Sequence, residues 1–350
     1  MNKIGWGQLG LVLALSRIFS EAANFPSDDI NYGMQRFTVL TLSYLLLCVA
    51  LIPAFVWQKR NGDVNVLSGR RTAAVIVIVY LIMAAVSTTT RLQFYASSTV
   101  FDAAPPWLIV LFTAITCLYG LSKGLPAVAR TGVIISAGFG VLLLTVTLGI
   151  SAEITPDYLY PALVDNPQTL AGDVLAELSK NAEGVIFAVL CSDVREKAAK
   201  SLFLYIPLSF GILIFMTFLY NTVLGEYLNS VNFPFYTLAS LSDISVLQRL
   251  DGLDVVIWIM AVIIKLSLLM LSAFTASLSA FGSRRAAYII SISALAVSSG
   301  FSFYFSHNTS DFILFSMLME TALPLLTAAC VIPVVILVST AVKKRKGGTA

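Results

Sequence analysis

Residues 253–281 read LDVVIWIMAVIIKLSLLMLSAFTASLSAF, twenty-nine positions with one acid near the start and a single lysine, Lys265, close to the middle. A helix of that length rises about 43 Å, more than the roughly 30 Å of a bilayer's hydrocarbon core. Backbone in hydrocarbon has to satisfy its own N–H and C=O groups, and a helix does so within one segment. The stretch is therefore expected to cross a membrane. Its surroundings agree: of 350 residues, 58% are apolar and 12% charged, about half the charged share of a soluble domain.

Nine further apolar runs flank this one: Ile4 to about Ala23, Phe37–Trp57, Thr72–Ser97, Pro106–Leu121, Thr131–Ile150, the short Gly184–Cys191, Ser201–Gly225, Ala286–Phe305 and Phe312–Val342. They predict one all-α integral membrane domain of about ten helices over residues 1–350. Arg17 and Glu21 argue against reading the first run as a cleavable leader, whose apolar core carries no charge up to the cut. With alternate loops assigned to the cytoplasm from the N-terminus on, that side holds 16 of the 22 basic residues, including the tail Lys343-Lys344-Arg345-Lys346. The other side holds only Arg36, Lys180 and Arg249, so the positive-inside bias puts both termini in the cytoplasm. Basic residues in short clusters and a net charge of +3 mark orientation in a lipid bilayer; no nucleic-acid partner is expected. Cys48, Cys117, Cys191 and Cys330 all fall in apolar runs, without metal-ligand spacing, and read as packing residues.

Arg17, Arg91, Lys265 and Glu320 lie within apolar runs, and Glu183 abuts the sixth. A charge at mid-membrane depth costs about 2.5–3.5 kcal/mol on insertion scales, so such groups are expected to face a bundle interior or a watery cavity. In the eighth run, Asp254, Trp258, Lys265, Ser272 and Ser279 share one stripe; in the third, Tyr80, Ser87, Arg91 and Tyr95; in the tenth, Ser316, Glu320 and Thr327. Lys265 either pairs with a carboxylate to hold two helices in register or serves a site, and one residue can do both. Arg91 sits near the outer end of its run, where a long stem is expected to snorkel to the interface.

Two runs carry polar interruptions. Ser16-Arg17-Ile18-Phe19-Ser20 cuts the first, and Ser179-Lys180-Asn181-Ala182-Glu183-Gly184 precedes the sixth. Each opens a block of five, the arrangement of inverted five-helix repeats whose first helices unwind around a site, here 1–150 and 151–350 with external connections 151–180 and 226–252. Half-helix N-termini at such breaks would hold a carboxylate, and freed carbonyls an ammonium, which together suit an amino acid. The residues expected to line the ligand site are Ser16, Arg17, Ser20, Ser87, Asn181, Glu183, Gly184, Trp258, Lys265 and Glu320.

From Glu226 to Ser272, Asn232-Phe233-Pro234-Phe235, Leu247-Gln248-Arg249-Leu250-Asp251, Trp258 and Lys265-Leu266-Ser267 form a pattern, joined by Tyr160-Pro161 in the earlier connection. In these motifs the chain resembles the spore-germination permeases, the B subunits of nutrient germinant receptors, within the amino acid-polyamine-organocation superfamily. The resemblance implies a LeuT-like bundle in the spore inner membrane, an amino acid or similar small nutrient as ligand, and a larger A subunit and a lipoprotein C subunit as partners. A secondary amino acid transporter coupled to protons or cations is the alternative, with Lys265 in a coupling cation's place or Glu320 carrying a proton. Catalysis is not expected, nor a cofactor or metal: the one histidine, His307, lies in a short loop, and no nucleophile–base or metal constellation accompanies it.

Overall fold

The computed structural model describes residues 3–22, 34–61, 65–68, 70–99, 105–159, 167–195, 197–242 and 250–338. The basic tail 343–346, Tyr160-Pro161 and Gln248-Arg249 lie outside these, as does the side chain of Glu21. Among the described residues the chain is helical, with no strand beyond an isolated parallel bridge between Ile4 and Val194.

The helices are α1 (Trp6–Ala22), α2 (Met34–Asn61), α3 (Arg71–Thr99), α4 (Pro106–Lys123), α5 (Leu125–Gly149), α6 (Leu170–Ser179), α7 (Glu183–Leu190), α8 (Lys200–Leu219), α9 (Pro234–Leu241), α10 (Asp251–Phe281), α11 (Arg284–His307), α12 (Thr309–Glu320) and α13 (Leu323–Leu326). Six helices are long and apolar enough to cross a membrane, and a seventh span arises if α12 and the segment Leu323–Val338 count as one. Their starts and stops follow local chemistry. Pro106 and Pro126 occupy first-turn positions of α4 and α5, where a missing N–H costs nothing. Gly282 takes the left-handed conformation (φ 70°) that closes α10 and sends its N–H to the Leu278 carbonyl.

Burial places α10 at the centre: 72% of its most apolar window is inside the protein, against 33% for α5 and for α11. It packs against α3, α11, α5, α4 and α1, while α1 packs chiefly on α8 and α5. Lipid tails supply no hydrophobic drive between helices, so close backbone approach through small residues matters. A Cβ on Gly10 would come within 2.9 Å of the Ser201 carbonyl oxygen and of Leu204 Cβ, and one on Gly132 within 2.6 Å of Val12. These two glycines let α8 and α5 close on α1. Large exposed side chains such as Phe203, Ile134, Val141 and Leu314 cover the rim, as expected of surface facing lipid.

Several elements differ from the sequence expectation. α1 runs unbroken through Ser16–Ser20, because the polar side chains there find tertiary partners and leave the backbone ladder closed. The second interruption is present as three non-helical residues, 180–182, between α6 and α7. α6 itself lies in the connection expected to be external, with Val174, Glu177 and Leu178 buried at helical spacing. α5 begins at Leu125, so Arg130 is helical and not in a loop. The tenth run bends by 44° between Glu320 and Leu323. Pro324 explains this: its ring collides with the carbonyl four residues back, that of Glu320, and Ala322 takes φ 56° at the joint.

Candidate functional site

The helical stripe on α10 brings Lys265 to the junction of α1 and α7. Its ammonium donates to Glu183 Oε1 at 2.9 Å, to Ser20 Oγ at 2.5 Å and to the Ser16 carbonyl at 3.3 Å. Ser16 Oγ donates to the same Glu183 oxygen at 2.5 Å. All three ammonium protons thus have acceptors on other helices. Glu183 is fully buried and Lys265 only 4% exposed, and the second glutamate oxygen, Oε2, has no hydrogen-bond partner among the described residues.

A second cluster adjoins the first through α1. Arg17, fully buried one residue after Ser16, pairs with Glu177 of α6 and donates through Nε to Asn181 Oδ1 at 3.1 Å. Tyr205 of α8 donates to the same amide oxygen at 3.1 Å. Glu177 also meets Arg36 of α2 at 2.8 Å and Lys180 at 3.6 Å, so one buried carboxylate gathers three cations. Desolvating such groups costs about as much as their attraction returns, so the clusters are weak evidence for stability and stronger evidence for a specified geometry.

Beside Lys265 opens a cavity of about 70 Å³. Tyr80, Ser87 and Arg91 line it from α3, Ser20 from α1, Lys180 from the 180–182 break, and Ser316 and Glu320 from α12. Polar stripes from three separate helices therefore meet on one void, with the second break at its wall. Arg91, expected to snorkel to the interface, is among the residues that line this cavity.

Of the ten residues expected at the site, Ser20, Ser87, Lys265 and Glu320 line the cavity, and Ser16 and Glu183 hold Lys265 from behind it. Arg17 and Asn181 belong to the Glu177 cluster. Gly184 packs away from the cavity, where a Cβ would meet Leu51 of α2 at 3.0 Å. Trp258 lies in an aromatic ladder above it, stacked on Tyr95 at 3.7 Å between centroids and tilted against Phe19 at 4.2 Å. Tyr95 is fixed from the other side by a hydrogen bond to Asp254 Oδ2 at 3.1 Å and an edge contact with Phe233. Phe19 lines both this cavity and a small apolar pocket that it shares with Trp258. Sequence reasoning missed Glu177 and Tyr205; the spacing of Val174, Glu177 and Leu178 was the available sign for the first. Among the described residues no group of histidine, cysteine or carboxylate side chains is arranged to hold a metal ion.

A family model described as spore germination protein matches residues 71–310. No curated protein matches the chain. Among solved structures, a Na+-coupled sialic acid symporter captured in a substrate-bound outward-open state superposes with a TM-score of 0.65 at 12% identity, over 92% of this chain and 77% of that one. The likeness is one of fold.

Proposed function

Because the chain belongs to the spore germination protein family, we propose that it is the permease-like subunit of a nutrient germinant receptor, binding a small zwitterionic nutrient in the cavity beside Lys265. The observation that carries this reading is the meeting of α1, α3, the α6–α7 break, α10 and α12 on one cavity whose lining includes Lys265, Arg91, Glu320 and the hydroxyls of Ser20, Ser87 and Ser316. In this reading α6 and α7 form one interrupted span and α12 with α13 another, which makes ten spans in two inverted blocks of five, with α9 in an external connection. Both termini are cytoplasmic, the membrane is the spore inner membrane, and A and C subunits read the state of the bundle.

Binding acts by changing a conformational balance. A ligand moves such an equilibrium only by its differential affinity, and a shift from 1:99 to 99:1 needs about 5.5 kcal/mol of it. Groups already meeting across α1, α7 and α10 are well placed to supply that difference, since a bundle that rocks open changes their separations together.

A second reading is favoured by one specific contact set. Lys265 Nζ sits among a carbonyl of α1, a hydroxyl and a carboxylate, an oxygen cage of the kind that holds a monovalent cation. In a cation-coupled transporter this fixed ammonium would stand where the coupling ion otherwise binds, and the structural neighbour is itself Na+-coupled.

The test pairs two measurements. Spores lacking the chain, or carrying Lys265→Met, are expected to lose germination to the nutrient read by this receptor while responding to others. Proteoliposomes of the full chain alone are expected not to accumulate radiolabelled amino acids above empty vesicles. Concentrative uptake by the chain alone would replace the receptor reading with the transporter one.

A further inference from the structure

The charged groups on the cavity wall are already committed. Lys265 has three acceptors on α1 and α7, Lys180 stands beside Glu177, and Arg91 and Glu320 each have interactions of their own. Backbone donors are committed too: α1 is continuous through Ser16–Ser20, and at the α6–α7 break Gly184 N–H donates to the Asn181 carbonyl at 3.2 Å. What remains for an occupant is the hydroxyls, and the use each makes of its proton separates them.

Among the lining residues, Thr88 and Ser179 spend their hydroxyl protons on the helix carbonyls of Ala84 and Ala176, each at 2.7 Å. Ser20 differs. Its oxygen accepts from Lys265 Nζ at 2.5 Å, which turns its proton away from the ammonium. Among the described residues that proton meets only the Ser16 carbonyl, at 3.5 Å, and this carbonyl already accepts from the ammonium at 3.3 Å. A hydroxyl bond is ordinarily about 2.7–2.8 Å long, so the Ser20 proton is barely engaged. Accepting from a cation polarises an O–H group and makes it a stronger donor. Tyr80 and Ser316 line the same void with buried hydroxyls that have no hydrogen-bond partner among the described residues, a costly condition until an occupant bonds them.

We infer that Ser20 is the contact for the ligand's carboxylate and that Lys265 is a positioning residue acting through it, Nζ–H to Ser20 Oγ and Ser20 O–H to a carboxylate oxygen. This assignment rests on the cavity being the nutrient chamber. A carboxylate offers about four lone-pair sites to hydroxyl donors and an ammonium offers none, so the loosely held Ser20 proton selects the acidic end of a zwitterion. The charge of a lysine whose three protons are all taken thus reaches the ligand through one hydroxyl.

Full chain in nanodiscs tests it, with tritiated L-alanine as the probe and propionate, which keeps the carboxylate and lacks the ammonium, as competitor. Ser20→Ala is expected to weaken both about tenfold and by the same factor, whereas Ser20→Thr, which keeps the hydroxyl, stays within about threefold of wild type. Lys265→Met is expected to weaken L-alanine in the wild-type background and to add little once Ser20→Ala has cut the relay. Unaltered L-alanine binding in Ser20→Ala, a loss confined to L-alanine, a loss that Ser20→Thr shares, or an equal Lys265→Met effect in both backgrounds overturns the Ser20 relay while leaving the chamber standing. Absence of any L-alanine binding to the folded wild-type chain overturns both.

Discussion

Replacing Lys265 by Met keeps the length of the side chain and removes its charge, leaving Glu183 as a carboxylate that is fully buried and keeps only the Ser16 hydroxyl. Stranding one member of a buried ion pair costs about 3–5 kcal/mol. The reverse substitution, Glu183→Gln, is milder: Lys265 retains Ser20 Oγ and the Ser16 carbonyl, two of its three acceptors, so the loss is about 1–3 kcal/mol. Combining the two leaves no uncompensated charge and is expected to recover roughly 2 kcal/mol relative to the sum of the singles. At about 2 °C per kcal/mol for a chain of this size, Lys265→Met lowers Tm by about 6–10 °C, Glu183→Gln by about 2–6 °C, and the double variant by about as much as Lys265→Met alone, roughly 4 °C less than the sum of the singles. Thermal unfolding of purified protein in detergent, followed by the fluorescence of the four tryptophans, reads the order directly. If Glu183→Gln proves the more damaging single change, or the two losses simply add, then the ammonium is not held in the way described and the polar seam loses its centre.

Three further outcomes follow from neighbouring features. Glu177→Gln removes the anion shared by Arg17, Arg36 and Lys180 and is expected to cost about 3–5 kcal/mol, with an additional Arg17→Met change restoring part of the yield of folded protein on size-exclusion chromatography. Gly132→Leu drives a side chain into Val12 and is expected to destabilise by about 1–3 kcal/mol or more, read as a lower Tm than that of Gly140→Leu, whose Cβ meets nothing within 4 Å. Asp193, just past α7, has its carboxyl pushed above the usual range by burial, against the opposing pull of Lys3 and a hydrogen bond from Thr275. A raised native value means that its contribution to stability is complete below the ordinary carboxylate range and is lost as pH rises through the native value. Asp193→Asn is therefore expected to flatten the Tm–pH profile above the ordinary carboxylate range and to raise Tm at pH values beyond the raised native one. A variant profile parallel to the wild type would remove Asp193 as the source.

The spans were legible because hydrocarbon admits few alternatives: an apolar run the length of residues 253–281 has to be helical, and Lys265 within it has to turn inward. The same logic singled out Glu183 and Glu320, whereas Ser16 and Ser20 came from the break expected in the first run; the structure sets all four in or behind the Lys265 cavity. What the sequence did not disclose depends on pairings between distant segments. Polar residues in α1 looked like a helix break when read alone; with Glu183, Lys265 and Glu177 across from them they are satisfied without opening the backbone. Glu177 was hidden by its acidic, proline-containing neighbourhood, although Val174 and Leu178 mark an apolar face on that short helix. Pro324 did announce the bend after Glu320 and was passed over because the apolar run continues through it. Trp258 shares the stripe of Lys265 but stands about two turns away along α10, which puts its ring against Tyr95 and in a separate apolar pocket.

The short bridge at the start of the chain ties two distant parts of the sequence. Ile4 N–H reaches the Asp193 carbonyl at 3.2 Å, Arg195 N–H returns to the Ile4 carbonyl at 2.8 Å, and the Arg195 side chain grips the Lys3 carbonyl at 3.0 Å. The helix bearing Ser16 and the helix bearing Glu183 are thus yoked at their shared end, as two tines are by the handle of a fork. Any load applied to the first residues, from a fusion tag or from an adjoining subunit, is transmitted to both walls behind the lysine at once.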